Sequence, residues 1–233
     1  MIGIKSLLTA EQVLTQRTPD QANLTTMPAI PPNSLIAITG ISGYIASHIG
    51  LWALKGGHRV RGTVRSWARA DSLKAGYEKQ GIPASELAAR LELVIVDNLN
   101  SEEQWTAALK DVDGVIHAAL NLENLENGKI VGQAVAGTLS LLRAAQKSPS
   151  VKRVVLTSSM SAVITAPMQR DKVLTTEDWN DEVLERFEKG LSNDHDPILK
   201  QASFLFPYSA AKLKAERAAW EFVKEVCGHW CSI

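Results

Sequence analysis

Five short runs of apolar and β-branched residues, separated by stretches long enough for helices, restrict this chain to a small set of folds. The runs are Leu35 to Thr39, Arg59 to Val64, Leu91 to Val96, Gly114 to Ala118 and Arg153 to Thr157. Between them, Tyr44 to Lys55, Ala68 to Gln80, Ser101 to Leu109 and Ile130 to Lys147 carry helical patterns, and no internal repeat interrupts the rhythm. Strands that alternate with helix-length connections form a parallel sheet covered on both faces. The predicted fold class is therefore α/β, with a doubly wound parallel sheet.

The flanks read differently. Residues 1 to 33 are rich in Thr, Gln and Asn and close on Pro28, Pro31 and Pro32, which reads as a flexible leader with a weak helix from Leu7 to Leu14. Met27 stands just before the first strand as an alternative start to Met1. The expected domain covers residues 34 to 227, with an irregular tail from 228 to 233. After the fifth strand lies a polar region, Met168 to Gln201, with a helix expected over Asp178 to Lys189. The last expected helix runs from Tyr208 to about Val226.

With 233 residues, 45% hydrophobic and 21% charged, the chain can bury one sizeable core. Its 25 basic and 25 acidic residues balance, so bulk charge favours neither nucleic acid nor an anionic membrane as a partner. No apolar run reaches the roughly 18 residues of a membrane span, and the N-terminus lacks a signal pattern, so the cytoplasm is the expected location. Cys227 and Cys231 are too few for a disulfide scaffold and read as free thiols. His195, between Asp194 and Asp196, lacks a second ligand set and reads as a solvated turn, so no metal is expected.

The first strand runs into Thr39-Gly40-Ile41-Ser42-Gly43-Tyr44-Ile45-Ala46, a glycine turn that opens the first helix. Gly40 permits a tight turn and Gly43 a close backbone approach, so Gly40, Ser42, Gly43, Tyr44 and Ile45 form a cradle for a dinucleotide pyrophosphate. Ala46 stands where helix and strand pack. At the end of the second strand, about 20 residues on, an acidic residue would hold the ribose 2′-hydroxyl of NAD. Arg65 and Ser66 occupy that place, and a guanidinium binds a 2′-phosphate bidentately, which favours NADP(H), with Arg69 as a second cation. Asp97 and Asn98, ending the third strand, point to the adenine, while Ala118 and Ala119, ending the fourth, leave room for the cofactor.

The catalytic candidates are Tyr208 and Lys212, four residues apart on one helical face. A phenol, with its reference pKa near ~10, exchanges protons at neutral pH only if a neighbour favours its ionised form, and an ammonium does so. The fifth strand ends in Thr157-Ser158-Ser159, where one hydroxyl can donate to a carbonyl oxygen as charge develops on it. Ser159 is the first choice and Ser158 the alternative, the other serving as a turn cap. No G-x-S-x-G elbow is present to support acyl transfer.

In this order, these motifs together with Asp113 to Ala119 and Ala136-Gly137-Thr138-Leu139 resemble the extended short-chain dehydrogenase/reductases. Within them the chain is similar to dihydroflavonol reductases, cinnamoyl-CoA reductases and fungal NADPH-dependent aldehyde or ketone reductases, from about Ser34 to Glu225. The resemblance implies a Rossmann fold and reduction of a small-molecule aldehyde or ketone by NADPH. It further implies Tyr208 as proton donor, Lys212 as ribose binder and activator of the tyrosine, and Ser159 as carbonyl orienter. An NADP-binding fragment without turnover, or a nucleotide-sugar epimerase or dehydratase, would share most of these residues.

The resemblance implies a sixth strand and a C-terminal substrate region after the last helix, and the sequence reads as truncated before them. The expected consequence is an unpaired sheet edge with exposed apolar surface. Ala211, Ala215, Ala218, Phe222 and Val226 form an apolar stripe on the last helix. That stripe packs on the sheet or, as the resemblance allows, serves a homodimer.

Overall fold

The computed structural model describes residues 30–122, 128–164, 173–190 and 205–226. Met27, His195, Cys227 and Cys231, and with them almost all of the leader and the tail, lie outside the described residues. The elements in order are β1 (Leu35–Ile38), α1 (Tyr44–Lys55), β2 (Arg59–Val64), α2 (Ala70–Lys79), α3 (Ala84–Arg90), β3 (Leu91–Ile95), α4 (Glu102–Ala108), β4 (Gly114–His117), α5 (Lys129–Gln146), β5 (Arg153–Leu156), α6 (Asp181–Glu188) and α7 (Leu205–Val226). Short 3-10 turns at Trp67–Arg69 and Met160–Ala162 follow β2 and β5.

The strands form one parallel sheet in the order β3-β2-β1-β4-β5. The chain winds outward from β1 through β2 to β3, then returns to the other side of β1 for β4 and β5. That reversal opens a crevice between β1 and β4 at their carboxyl ends, the place where such sheets bind ligands. Among the described residues β3 and β5 are the edges, and Val155 on β5 is 45% exposed.

Side-chain alternation along β1 shows why both faces are covered. Leu35 and Ala37 enter a core with Trp105, Leu109, Leu141, Ala145 and Val154, beneath α4, α5 and α7. Ile36 and Ile38 enter the opposite core with Leu51, Leu54, Val60, Leu73 and Tyr77, beneath α1 and α2. Each fully buried Leu or Ile contributes on the order of 1.5–3 kcal/mol, so the strand is stable only while both helical layers cover it.

The strands end one residue earlier than expected at Thr39, Val96, Ala118 and Thr157. Three of these still give the ladder a last bond, Thr39 N–H to Ile116 at 3.0 Å, Val96 N–H to Val64 at 2.9 Å and Thr157 N–H to His117 at 2.9 Å, before the backbone turns away. The helix expected over Ala68 to Gln80 divides into the 3-10 turn and α2. Helix α3 was not expected: it is seven residues long and buries only Leu87, too little to show a period. The Arg90 guanidinium at its end donates to the carbonyls of Leu54 and His58 and so caps α1. Arg61 does the same for α4, donating to Ala108 O at 3.1 Å and to Lys110 O at 2.5 Å.

Helix α7 begins at Leu205 rather than Tyr208. Pro207 therefore lies in its first turn, where the missing N–H would have had no partner. Ala211 and Ala215, from the predicted stripe, are buried with Ala210 against Ile130, Val131 and Ala134 of α5, so α5 covers that part of the stripe in the same chain. Among the described residues no helix is long and apolar enough to cross a membrane.

Candidate active site

A cleft with about 160 Å³ of free volume opens at the carboxyl ends of the strands. Arg65, Asp97, Asn98, Ala119, Ser158 and Lys212 all line it, although they follow β2, β3, β4 and β5 or, for Lys212, lie on α7. The glycine turn, Ala118, Ser159 and Tyr208 do not line the cleft, although the turn touches its wall. Gly40 has φ +64°, and a Cβ there would sit 3.2 Å from the Cβ of Ala119. Only glycine fits that position without strain and without crowding the wall. Gly43 N–H donates to Gly40 O at 2.8 Å, closing the turn, and Gly43 is the N-cap of α1. Ser42 and Ile45 are half-buried and Tyr44 is exposed, so the turn presents its backbone at a helix N-terminus. Arg69 lies in the turn after β2, away from the cleft lining.

Thr39 organises the crevice between β1 and β4. Its hydroxyl accepts from Ala118 N–H at 3.0 Å and Ala119 N–H at 2.9 Å, and lies 2.9 Å from Nδ1 of His117. With both lone pairs of the hydroxyl engaged, its single proton goes to Nδ1, so His117 carries its own proton on Nε2 and is neutral. Burial pulls the His117 imidazole down to about 3, with the nearby Lys212 ammonium adding to the shift. Hydrogen bonding and electrostatics thus agree on the same protonation state.

Asp97 and Asn98 are held by Gln104 of α4. Its side-chain oxygen accepts from Asp97 N–H at 3.1 Å and Asn98 N–H at 3.2 Å, while its Nε2 donates to Asp97 Oδ1 at 2.8 Å. Sequence reasoning missed Gln104, though Ser101-x-x-Gln104 is a capping-box signal. The Ser101 hydroxyl does accept from Gln104 N–H at 3.2 Å, but the glutamine side chain turns to the strand end.

The Lys212 ammonium donates to Thr157 O at 2.5 Å, which ties α7 to the end of β5. Burial brings Lys212 down to about 8, opposed by the Glu216 carboxylate one turn further along α7. Glu216 is 7% exposed and accepts a short hydrogen bond from the Ser158 hydroxyl. Sequence reasoning missed it as well, although its four-residue spacing from Lys212 continues the row that begins at Tyr208.

The two serines differ from the expected division of labour. Ser159 caps the 3-10 turn at Met160–Ala162, accepting from Ser161 N–H at 3.3 Å, with its Oγ 2.9 Å from that of Ser161. Ser158 is the one committed to Glu216. Asn180 braces this turn: its Nδ2 donates to Ser161 O at 2.8 Å, its backbone N–H to Ala162 O at 3.0 Å, and its Oδ1 caps α6 through Val183 N–H at 3.3 Å.

A doubly wound sheet with a glycine turn after β1, an arginine after β2 and a Tyr-x-x-x-Lys helix beside β5 is the arrangement expected of the dinucleotide-binding class. Residues 36–183 match the NAD dependent epimerase/dehydratase family, and the chain belongs to that family. It is 35% identical over 197 residues to the NAD-dependent epimerase/dehydratase terH of Aspergillus terreus, covering 84% of this chain and 55% of that one. It is also 35% identical over 205 residues to aldehyde reductase 2 of Sporidiobolus salmonicolor, covering 86% and 56% respectively. Among solved structures it is similar to the yeast methylglyoxal/isovaleraldehyde reductase Gre2 complexed with NADPH, with a TM-score of 0.60 and 26% identity over 82% of this chain and 53% of that one. The chain spans about half the length of the curated relatives it matches.

Proposed function

We propose that this chain carries the cofactor and proton-transfer residues of an NADPH-dependent oxidoreductase that reduces an aldehyde or ketone to an alcohol. The observation that carries the reading is Lys212, on the helix that bears Tyr208, bonded to the end of β5 and lining one cleft with Arg65 and Asp97. The residues suit a dinucleotide: Gly40 leaves a cradle that a side chain would fill, and Arg65 supplies a guanidinium where a 2′-phosphate carrier needs one. When bound, the reduced dinucleotide supplies a hydride to the carbonyl carbon.

The remaining work falls to the chain's own groups. Tyr208 holds the proton that the carbonyl oxygen takes up, and the Lys212 ammonium stabilises the phenolate left behind. Ser159 is the serine assigned to orient the carbonyl, because the Ser158 proton is committed to Glu216 while the Ser159 hydroxyl, among the described residues, meets its neighbour Ser161. Asn180 holds the turn that carries Ser159. The names of the similar reductases support an aldehyde or ketone as substrate class.

The test is a fluorescence titration with NADPH and NADH, followed by a panel of aldehydes and ketones with the parent chain, Arg65→Ala and Tyr208→Phe. The expected result is tighter binding of NADPH than NADH, a preference lost in Arg65→Ala, and turnover that Tyr208→Phe removes while NADPH still binds. Binding without turnover of any carbonyl would overturn the reductase reading. Equal losses for both cofactors in Arg65→Ala would overturn the 2′-phosphate assignment.

A further inference from the structure

The buried polar group that the reductase reading leaves without a task is Glu216. It lies within the fold at 7% exposure, lines the cleft, and accepts the Ser158 hydroxyl proton. A buried carboxylate is costly to desolvate unless it is hydrogen-bonded and near a cation. Ser158 satisfies the first condition, and Lys212, one helical turn back on the same face, satisfies the second.

Lys212 has the complementary difficulty. Its ammonium sits in a half-buried place against a backbone carbonyl, where loss of water favours the neutral amine. Among the described residues the charged and titratable groups around it can be named. Tyr208 and Glu216 share its helix, His117 at the end of β4 is locked neutral, and Arg65 and Asp97 stand in the cleft lining, while the cleft-lining residues of α5 are uncharged. Glu216 is therefore the anion of α7 that opposes desolvation of the ammonium.

We propose that Glu216 is a positioning residue that keeps Lys212 protonated at neutral pH, with Ser158 as the donor that fixes the carboxylate in place. This rests on the reductase reading for its purpose, since a neutral Lys212 would neither hold a ribose hydroxyl by charge nor support a phenolate at Tyr208. The division between the serines follows from it: Ser158 serves the helix and Ser159 the substrate. The opposing pulls on Lys212, downward from burial and upward from Glu216, with a net fall to about 8, fit this arrangement.

The experiment reads the lysine directly and does not depend on turnover. The chain is labelled with 13C at lysine Cε, the Lys212 signal is assigned by its loss in Lys212→Met, and its titration is followed by NMR in the parent protein and in Glu216→Gln. Glutamine keeps an acceptor for Ser158 and removes the charge. The expected result is a Lys212 midpoint above 7 in the parent, lowered by about 1–2 units in Glu216→Gln and restored to within about half a unit in Glu216→Asp. A midpoint unchanged in Glu216→Gln, or lowered as far in Glu216→Asp, would overturn the proposal. So would a parent midpoint below 7, a measurement that stands even where a variant fails to fold. Absence of carbonyl turnover in the parent protein, with the Lys212 shift still seen in Glu216→Gln, would instead count against the reductase reading alone.

Discussion

Replacing His117 with asparagine should change how the protein responds to acid, by an amount the structure allows to be worked out. Burial, with the nearby Lys212 ammonium, pulls the native His117 imidazole down to about 3, whereas an exposed imidazole in the unfolded chain lies at ~6.5. A group with a lowered native pKa contributes stability above its unfolded pKa and loses it as pH falls toward the native value. Going from pH 7.5 to pH 5, the unfolded chain gains nearly one proton at this site and the native state almost none. Integrating that difference gives a loss of about 2 kcal/mol from His117 alone.

Asparagine can place an amide oxygen where Nδ1 now accepts from Thr39, so the wall formed by Ala118 and Ala119 keeps its hydrogen bonds. It removes the titrating ring and the edge contact with Trp105, whose ring centroid lies 6.2 Å away. The lost contact lowers stability at both pH values and cancels in the comparison. Urea unfolding of the parent and His117→Asn at pH 7.5 and pH 5 should therefore give a double difference of about 2 kcal/mol, with the parent the more acid-sensitive. A double difference under about 0.5 kcal/mol would mean that His117 titrates alike in both states, and the tautomer argument would fail.

Gly40→Ala should weaken NADPH binding at least tenfold and cost about 1–2 kcal/mol in urea unfolding, because it places a side chain at φ +64° and against Ala119. Unchanged affinity would show that the turn is not the cradle. Gly62→Ala should cost about 1–3 kcal/mol, since its Cβ would fall 2.4 Å from Cγ2 of Ile41. Much of that loss should return in the double variant with Ile41→Ala, and strict additivity of the two single losses would rule out the clash. Asn180→Ala should cost about 1–2 kcal/mol through the lost cap on α6, with a fall in carbonyl turnover larger than any change in NADPH affinity. A loss of stability with turnover intact would free the Ser159 turn from dependence on Asn180.

The residues visible in the sequence were those whose job depends on the backbone they sit in. Gly40, Arg65, Asp97 and Lys212 stand at strand ends or at helical spacing, and a run of alternating strands and helices suffices to bring such ends together. Gln104, Asn180 and Glu216 were not visible because each acts by reaching another element, and a polar residue with that task looks in sequence like any solvated one. Arg61 and Arg90 show the same limit from the other side. Both are charges on regular elements, yet their guanidinium groups finish helices α4 and α1, a pairing that only the packed layers create. Helix α3 was missed for a different reason, since one buried leucine in seven residues carries no period.

How α7 is held bears on how the site forms. Where it meets α5 the contact is largely alanine, through Ala210, Ala211 and Ala215 against Ala134, Ile130 and Val131. Small side chains permit close approach but bury little area, so they resist a slide along the helix axis only weakly. A shift of one turn, about 5.4 Å, would replace one alanine with another at much of this face. The polar ties are not interchangeable in that way. Lys212 meets the carbonyl of Thr157 and Glu216 meets the hydroxyl of Ser158, so two groups one helical turn apart grip two successive residues at the end of β5. Slipping by a turn would leave a buried carboxylate and a half-buried ammonium without partners, a penalty of several kcal/mol. The register of α7, and with it the position of Tyr208, is therefore held by these two polar ties together with Leu213, which is fully buried against Ala162 and Val183, so docking the helix and bringing Lys212 to the end of β5 are one event.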